Sequence, residues 1–258
     1  MNTKNYPNLI YKYRNWNNKF HKNILIRNEV FMASPSDFND PFDCRISRNY
    51  LLLDNSDKID LYINKTFEKY HSWILYNGKN IEFEKKSLKK RLENIEEFQK
   101  EFEKIEYSEM DQHYGILSLS ARWNSILMWS HYGDFHKGFC VGFNEEKMRL
   151  SNLFGKGGPV EYSIEYPEIN PLEPEDLMLK LFKQTHSKSK EWEYEQEYRL
   201  TNLYSNLPKN DERIVKIPSE FIEEVNLGVS ISNKNKQDII QICKNRNIKV
   251  YQLHKTPL

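Results

Sequence analysis

The clustering of strand-like segments after Tyr114 limits the possible folds more than any other feature of the sequence. Four segments there have strand patterns: G-I-L-S-L-S, G-F-C-V-G-F, P-V-E-Y-S-I-E-Y and W-E-Y-E-Q-E-Y-R-L. Parallel neighbours need a crossover connection of about a dozen residues or more, usually a helix. Because a helix of that length does not separate each pair, the sequence predicts an α+β fold with a mainly antiparallel sheet.

A charge-dense segment with a helical pattern precedes these strands. Lys and Glu are frequent from about residue 48 to 112, and the later part has one stripe of apolar residues at steps of three and four: Leu88, Leu92, Ile95, Phe98, Phe102 and Ile105. This spacing is typical of an amphipathic helix that packs on one side. We therefore predict one domain over residues 1–258 with a helical insertion at about residues 48–112.

Aromatic residues provide the core that the overall composition understates. Hydrophobic residues are 38% of the 258 and the mean hydropathy is −0.80, yet the chain contains 16 Tyr, 14 Phe and 5 Trp. Each buried aromatic ring removes about 150 to 250 Å² from water. The sequence therefore predicts an ordered chain and excludes disorder over most of its length.

Charge, cysteines and hydropathy restrict the cellular setting. Lys plus Arg number 38 against 37 Asp plus Glu, so the chain has no polybasic signature of non-specific nucleic-acid binding. Three widely spaced cysteines without a C-x-x-C pair are typical of free thiols in a reducing compartment. We find neither a signal-peptide pattern nor an apolar run long enough for a membrane span, so we expect a cytoplasmic protein.

The segment Trp192–Arg199 contains the most informative pattern. As a strand with a period of two, it places three carboxylates and an arginine on one face: Glu193, Glu195, Glu197 and Arg199. Neighbouring like charges repel, and burying one without a partner is costly. This face therefore meets either solvent, with Arg199 as a local counterion, or a basic partner, or a ligand in a cleft.

Two earlier strand patterns contribute polar groups of a different kind. Arg14 ends the pattern L-I-Y-K-Y-R, and its planar guanidinium suits a phosphate, although a surface arginine is the ordinary alternative. Arg122 and Arg199 are alternative candidates for the phosphate contact assigned to Arg14. Ser118 and Ser120 place two hydroxyls on one face of an apolar strand, where serines are also common as cross-strand hydrogen-bond partners.

The stretch S-H-Y-G-D-F-H-K-G-F-C offers further candidates. His131 and Tyr132 are predicted to line a cleft, where His131 would hydrogen-bond to a bound ligand and the ring of Tyr132 would stack on it. The alternative is that both belong to a packed aromatic cluster at the end of a helix. The spacing of His131, His136 and Cys140 fits no structural zinc pattern, so no metal site is expected. Cys140 lies in an apolar strand and is predicted to be a buried, inert thiol.

An arginine on an early strand, an S-x-S strand and a later E-x-E resemble, in that order, the Arg-Ser-Glu pattern of NAD-dependent ADP-ribosyltransferases. The segments N-D-P-F-D, M-W-S-H-Y, H-K-G-F and W-E-Y-E-Q-E-Y-R also resemble a bacterial family of unknown function, often encoded near phage-defence and toxin genes. The chain departs from the superfamily by its long insertion and by S-L-S in place of an S-T-S triplet.

The resemblance implies a split pair of small sheets with NAD in the cleft between them. Arg14 would contact the NAD diphosphate, and Ser118 and Ser120 would hold the sheet edge and the nicotinamide ribose. Glu197 would accept a hydrogen bond from the ribose 2′-OH and stabilise the positive charge that develops as nicotinamide leaves. Glu195 would orient or deprotonate the acceptor nucleophile.

The expected function is therefore an NAD-dependent ADP-ribosyltransferase, a toxin or phage-defence effector that modifies a nucleic acid or a protein. NAD is the expected substrate, an antitoxin is a possible partner, and no membrane partner is expected. Two alternatives stay open. The chain is a non-catalytic nucleotide-sensing or protein-binding module, or it hydrolyses NAD or a phosphodiester with its cluster of glutamates.

Overall fold

Alternating apolar residues build the central sheet of this computed structural model, which describes residues 6–174 and 176–255. The strands are β1 (Leu9–Arg14), β2 (Glu29–Phe31), β3 (Tyr114–Ser120), β4 (Phe139–Asn144), β5 (Gly157–Pro159), β6 (Glu161–Ser163), β7 (Ser187–Ser189), β8 (Glu197–Leu203), β9 (Ile214–Lys216), β10 (Ile222–Leu227) and β11 (Lys249–Gln252). Seven of them form one sheet in the order β11-β10-β4-β1-β3-β8-β5. Only the β10–β11 pair in it is parallel. The predicted α+β class with a mainly antiparallel sheet is confirmed.

Nine helices occur within the same described ranges. They are α1 (Asn23–Ile26), α2 (Ser56–Lys69), α3 (His71–Tyr76), α4 (Ile81–Leu92), α5 (Ile95–His113), α6 (Ile126–His131), α7 (Glu145–Leu150), α8 (Leu177–His186) and α9 (Asn233–Asn245). None of these helices is both long enough and apolar enough to cross a membrane.

The chain divides into two compact units. The sheet unit comprises residues 6–43, 111–165 and 185–255, and the helical unit comprises residues 44–110 with 166–174 and 176–184. The helical unit thus takes in a second segment of chain beyond the predicted insertion at about residues 48–112. Every residue of the candidate site described below lies in the sheet unit.

The apolar core of the sheet unit lies against one face of the sheet. On β3, Leu117 and Leu119 are buried in this core, as the alternation of the strand requires. On the opposite face, Tyr13 packs edge-on against Trp129 of α6, with ring centroids 5.1 Å apart. Buried aromatic rings contribute to the packing on both faces, and the prediction that they supply much of the core is confirmed.

The predicted single apolar stripe in the helical unit is wrong, because it is divided between α4 and α5. Asn94 separates the two helices, and its side-chain oxygen accepts a hydrogen bond from the backbone N–H of Glu97 at 3.3 Å. Such a side-chain bond to a free N–H begins a new helix. Leu92 and Phe98 are buried in the core of this unit, whereas Ile105 is exposed.

The predicted strand over Trp192–Arg199 is also wrong in its first half. Lys190–Glu195 form a 3-10 helix, and β8 begins only at Glu197. Gln196 joins the two with a φ of 42°, in the left-handed region. The three glutamates therefore do not share one face of a strand.

The sheet opens between β1 and β3. β1 pairs with β4 at six residues, but with β3 only at Tyr11 and Ser120. The ammonium group of Lys12 donates to the backbone carbonyl of Ser118, an acceptor that would face a backbone N–H in an ordinary ladder. Seven of the strands thus form one sheet instead of the predicted pair of small sheets, and a single residue pair joins β1 to β3 at its centre. The other four strands form two separate two-stranded sheets, β2 with β9 and β6 with β7.

We expect Gly138→Ala to destabilise the sheet unit. An added Cβ at Gly138 would clash with the backbone carbonyl oxygen of Arg14, and backbone cannot move aside as a flexible side chain can. The expected loss in free energy of unfolding is about 2 kcal/mol, as for other overpacked sites, measured by chemical denaturation. Gly78→Ala is the control, because its Cβ meets open space and only its φ of +68° is unfavourable. Equal losses in the two variants would contradict a close approach at Gly138.

Candidate functional site

A cavity of about 610 Å³ lies in the sheet unit, and both β1 and β3 contribute to its lining. Six of the seven predicted site residues line it: Arg14, Ser118, His131, Tyr132, Glu195 and Glu197. Ser120 is instead fully buried, and its hydroxyl donates to the backbone carbonyl of Glu195 at 2.6 Å. Ser120 therefore holds the chain segment that carries Glu195.

The carboxylates of Glu195 and Glu197 meet although they do not share a strand face. The left-handed backbone of Gln196 lies between them, where the 3-10 helix ends and β8 begins. The Nζ of Lys188 lies 2.6 Å from Oε2 of Glu195 and 3.0 Å from Oε2 of Glu197. One buried ammonium group thus bridges both acids of the E-x-E motif, while Glu193 is exposed and lies 3.9 Å from Lys190.

Arg199 is fully buried between two carboxylates. Its Nε and Nη2 donate to the two oxygens of Glu197 at 2.7 and 2.8 Å. Its Nη1 and Nη2 donate to the two oxygens of Asp43 at 2.9 and 2.5 Å, and Nη1 also donates to the carbonyl of Thr185 at 2.8 Å. These bonds occupy the whole guanidinium fork, so Arg199 is not the phosphate ligand that the sequence allowed it to be.

The charges around the two glutamates drive their pKa values apart. Burial acts to raise the pKa of Glu197, but the charges of Arg199 and Lys188 outweigh it and hold the pKa well below its usual range. Burial raises the pKa of Glu195, and the charge of Glu197 adds to this, against the opposing effect of Lys188. The hydroxyl of Tyr132 donates to Oε1 of Glu195 at 2.6 Å. Glu197 is therefore the more readily ionised member of the pair, and Glu195 takes up a proton at a higher pH than Glu197 does.

Two cations on β1 have no carboxylate partner among the described residues. The side chain of Arg14 makes one hydrogen bond to the described residues, to the carbonyl of Tyr13 at 3.4 Å, and burial lowers its pKa to about 10. Burial, with the nearby charge of Arg14, also lowers the pKa of Lys12, whose ammonium group bonds to the carbonyl of Ser118. Both side chains line the cavity. This wall therefore suits a negatively charged group, for which the guanidinium fork offers two parallel hydrogen bonds.

Aromatic rings stand beside these charged groups. Tyr132 follows α6 and lines the cavity with its ring, while its hydroxyl is bound to Glu195. The ring of Phe38 lies 5.3 Å from the guanidinium carbon of Arg199 and lines the same cavity. The cavity thus combines flat apolar surfaces, an anion-binding wall and a carboxylate pair.

His131, which was predicted to line the cleft, and His136, which was considered as a metal ligand, both have ordinary partners. Nδ1 of His131 lies 3.0 Å from the hydroxyl of Tyr194, and Nε2 of His136 lies 3.1 Å from the hydroxyl of Ser130. Cys140 is buried, as predicted, and burial raises its pKa well above the usual value. Across residues 6–174 and 176–255, no three His, Cys, Asp or Glu side chains are grouped so as to hold a metal ion.

Sequence reasoning missed Lys12, Asp43 and Lys188, and also the aromatic residues Phe38 and Phe135 that line the cavity. Lys12 shares a strand face with Arg14, so the alternation of β1 was a signal that could have identified it. Asp43 ends the N-D-P-F-D segment, which is usual for a turn and gives no sign of a distant arginine. Lys188 stands outside every pattern that we recognised, although it contacts both glutamates.

Comparison with known proteins gives one match. A family model described as "Protein of unknown function (DUF2971)" matches residues 128–200, which are 73 of the 258 residues. The matched segment contains Tyr132, Lys188, Glu195 and Glu197, whereas Arg14 lies before it. This match is consistent with the predicted resemblance to a family of unknown function. No curated protein and no solved structure matches the chain.

We expect Lys188→Met to lower the free energy of unfolding at neutral pH by about 3 kcal/mol, because it leaves buried carboxylates without their shared cation. Asp43, whose Oδ2 is 3.6 Å from Nζ of Lys188, loses the same neighbour. Urea denaturation measures the loss. Lys89→Met is the matched control: Lys89 and Asp60 form an exposed pair at 2.6 Å, so the expected change is at most about 0.5 kcal/mol.

The loss at Lys188 should also depend on pH. Lys188 lowers the pKa of Glu195, so its removal raises that pKa further above the unfolded value. A carboxyl whose folded pKa is raised destabilises the protein when ionised, and this penalty fades as the pH falls through the folded pKa. The difference between Lys188→Met and the unsubstituted protein should therefore narrow from neutral to mildly acidic pH. A constant difference would contradict the proposed charge bridge.

Proposed function

We propose that this protein is an NAD-dependent ADP-ribosyltransferase. The observation that carries the proposal is the cavity wall on which Lys12 and Arg14, without carboxylate partners among the described residues, stand beside the Glu195–Glu197 pair. NAD combines the matching groups, because its diphosphate is anionic and its nicotinamide ribose becomes positively charged as the glycosidic bond breaks. The resemblance to the Arg-Ser-Glu pattern supports the same reading.

In the proposed reaction, the bond between ribose C1′ and the nicotinamide nitrogen breaks, and nicotinamide leaves with the bonding electron pair. Positive charge then develops on the ribose, next to the ionised carboxylate of Glu197. Charge stabilisation of this kind acts on the transition state more than on the ground state. Arg199 and Lys188 fix the position of Glu197 and keep it ionised.

Glu195 has the second role in this proposal. The acceptor nucleophile attacks C1′ and gives up a proton as its new bond forms. Glu195, whose pKa is raised by burial, takes that proton, and its contact with Tyr132 orients the carboxylate. The acceptor is a nucleic acid or a protein, and the resemblance further implies a toxin or phage-defence role with an antitoxin as partner.

A non-catalytic nucleotide-binding module is the second candidate. The observation in its favour is that both carboxylates already accept hydrogen bonds, Glu197 from Arg199 and Lys188, and Glu195 from Lys188 and Tyr132. Such a module would bind NAD without releasing nicotinamide. Hydrolysis of NAD with water as the acceptor is the third reading, and it would release nicotinamide without labelling an acceptor.

The test is incubation of the protein with NAD labelled in the adenylate, with RNA, DNA and protein acceptors, while nicotinamide release is followed. We expect Glu197→Gln to reduce nicotinamide release about 100-fold or more, as the loss of a transition-state charge contact does. Glu195→Gln should reduce acceptor labelling about 100-fold. Glu193→Gln, the same chemical change at a side chain that is 58% exposed, should leave both rates unchanged.

Two further measurements distinguish a loss of function from a loss of folding in these variants. Thermal unfolding of each variant shows whether the buried network survives the exchange of a carboxylate for an amide. Arg14→Gln, outside that network, should weaken NAD binding with little effect on unfolding, and exposed Arg27→Gln is its control. Equal labelling by the unsubstituted protein and by folded Glu197→Gln would rule out the proposed transferase.

A further inference from the structure

Residues 134–136 form a left-handed turn that begins three residues after the end of α6. The φ angles of Asp134, Phe135 and His136 are 53°, 52° and 66°. Residues other than glycine enter this region singly, and a run of three is unfavourable. Three backbone bonds hold the turn. The N–H of His136 donates to the carbonyl of Trp129 at 3.1 Å, the carbonyl of His136 accepts from the N–H of Ser230 at 2.9 Å, and the carbonyl of Asp134 accepts from the N–H of Lys137 at 3.0 Å.

The strained turn does not bury its own aromatic side chain. Phe135 is 74% exposed and lines the cavity. A strained backbone persists when the surroundings fix it, and such strain clusters at sites of function. Core packing of the Phe135 ring cannot offset the strain, because most of the ring meets solvent. The fold therefore displays this ring at the cavity.

The charged side chains of β1 have a fixed order relative to the left-handed turn. Lys12 lies within the fields of Glu195, Glu197 and Arg14. Arg14 is two residues further along the strand, roughly 7 Å away at the usual rise. Gly138, which follows the turn, packs against the backbone carbonyl of Arg14. Along β1 the order is thus Lys12, then Arg14, and then the contact of the Arg14 carbonyl with the segment that follows the turn.

We infer that Phe135 is the platform on which the adenine ring of NAD stacks. This inference rests on the proposed function and assigns the part of the substrate that the carboxylates and cations do not reach. The nicotinamide ribose lies at Glu195 and Glu197, the diphosphate at Lys12 and Arg14, and the adenosine beyond them at the turn. Stacking of a base on an aromatic side chain needs no hydrogen-bond partner, which suits a phenylalanine.

The test compares NAD with nicotinamide mononucleotide, which keeps the nicotinamide ribose and one phosphate but lacks the adenylate. We expect Phe135→Ala to raise the KM for NAD about tenfold, the usual size of one lost stacking contact, and to leave the KM for nicotinamide mononucleotide unchanged. Phe135→Trp should retain the low KM for NAD. An unchanged KM for NAD in Phe135→Ala, or an equal rise for both substrates, would overturn the inference.

Binding measurements separate this inference from the proposed reaction. Calorimetric titration with AMP and with ribose 5-phosphate, which lacks the base, needs no turnover. Phe135→Ala should weaken AMP binding about tenfold and leave ribose 5-phosphate binding unchanged, whereas Arg14→Gln should weaken both. If neither NAD nor nicotinamide mononucleotide releases nicotinamide, the proposed function fails. The titrations with AMP and ribose 5-phosphate would still test the role of Phe135. If Phe135→Ala changes the affinities for AMP and for ribose 5-phosphate equally, Phe135 is not the stacking platform for adenine.

Discussion

The buried guanidinium of Arg199 is the interaction on which the candidate site depends. A charge without access to water is tolerated only where opposite charges and hydrogen bonds surround it. Asp43 and Glu197 supply those charges, and Asp43 comes from a turn 156 residues earlier in the chain. The arginine therefore joins the N-D-P-F-D segment to the start of β8 and fixes where the second glutamate of the E-x-E motif stands.

The same network gives the ionisable groups of the site different charge states and different partners. At Glu197 the charges of Arg199 and Lys188 outweigh the effect of burial and keep the carboxylate ionised, so Glu195 is the member of the pair whose pKa is raised. Two carboxylates and the Thr185 carbonyl occupy the N–H groups of Arg199, so Arg14 is the guanidinium among the described lining residues that can meet an anion. A cavity with one acid held as an anion and another that can be protonated supports reactions that need both forms.

Local patterns predicted the elements of the sheet better than they predicted the connections around the site. Leu9–Arg14 is a strand as its alternation indicates, since its apolar positions face a core. Trp192–Arg199 alternates equally well, yet it begins as a 3-10 helix because Ser120 binds the carbonyl of Glu195 and Gln196 adopts a left-handed backbone. Such contacts join residues far apart in the sequence, and periodicity within one segment contains no information about them.

The left-handed backbone at Gln196 also has an evolutionary consequence. A side chain branched at Cβ is strongly disfavoured at a positive φ, whereas glycine adopts it freely and asparagine tolerates it. Backbone shape therefore constrains the middle residue of the E-x-E motif, although its side chain is exposed. Natural variants should accept glycine or asparagine at this position and reject valine, isoleucine and threonine.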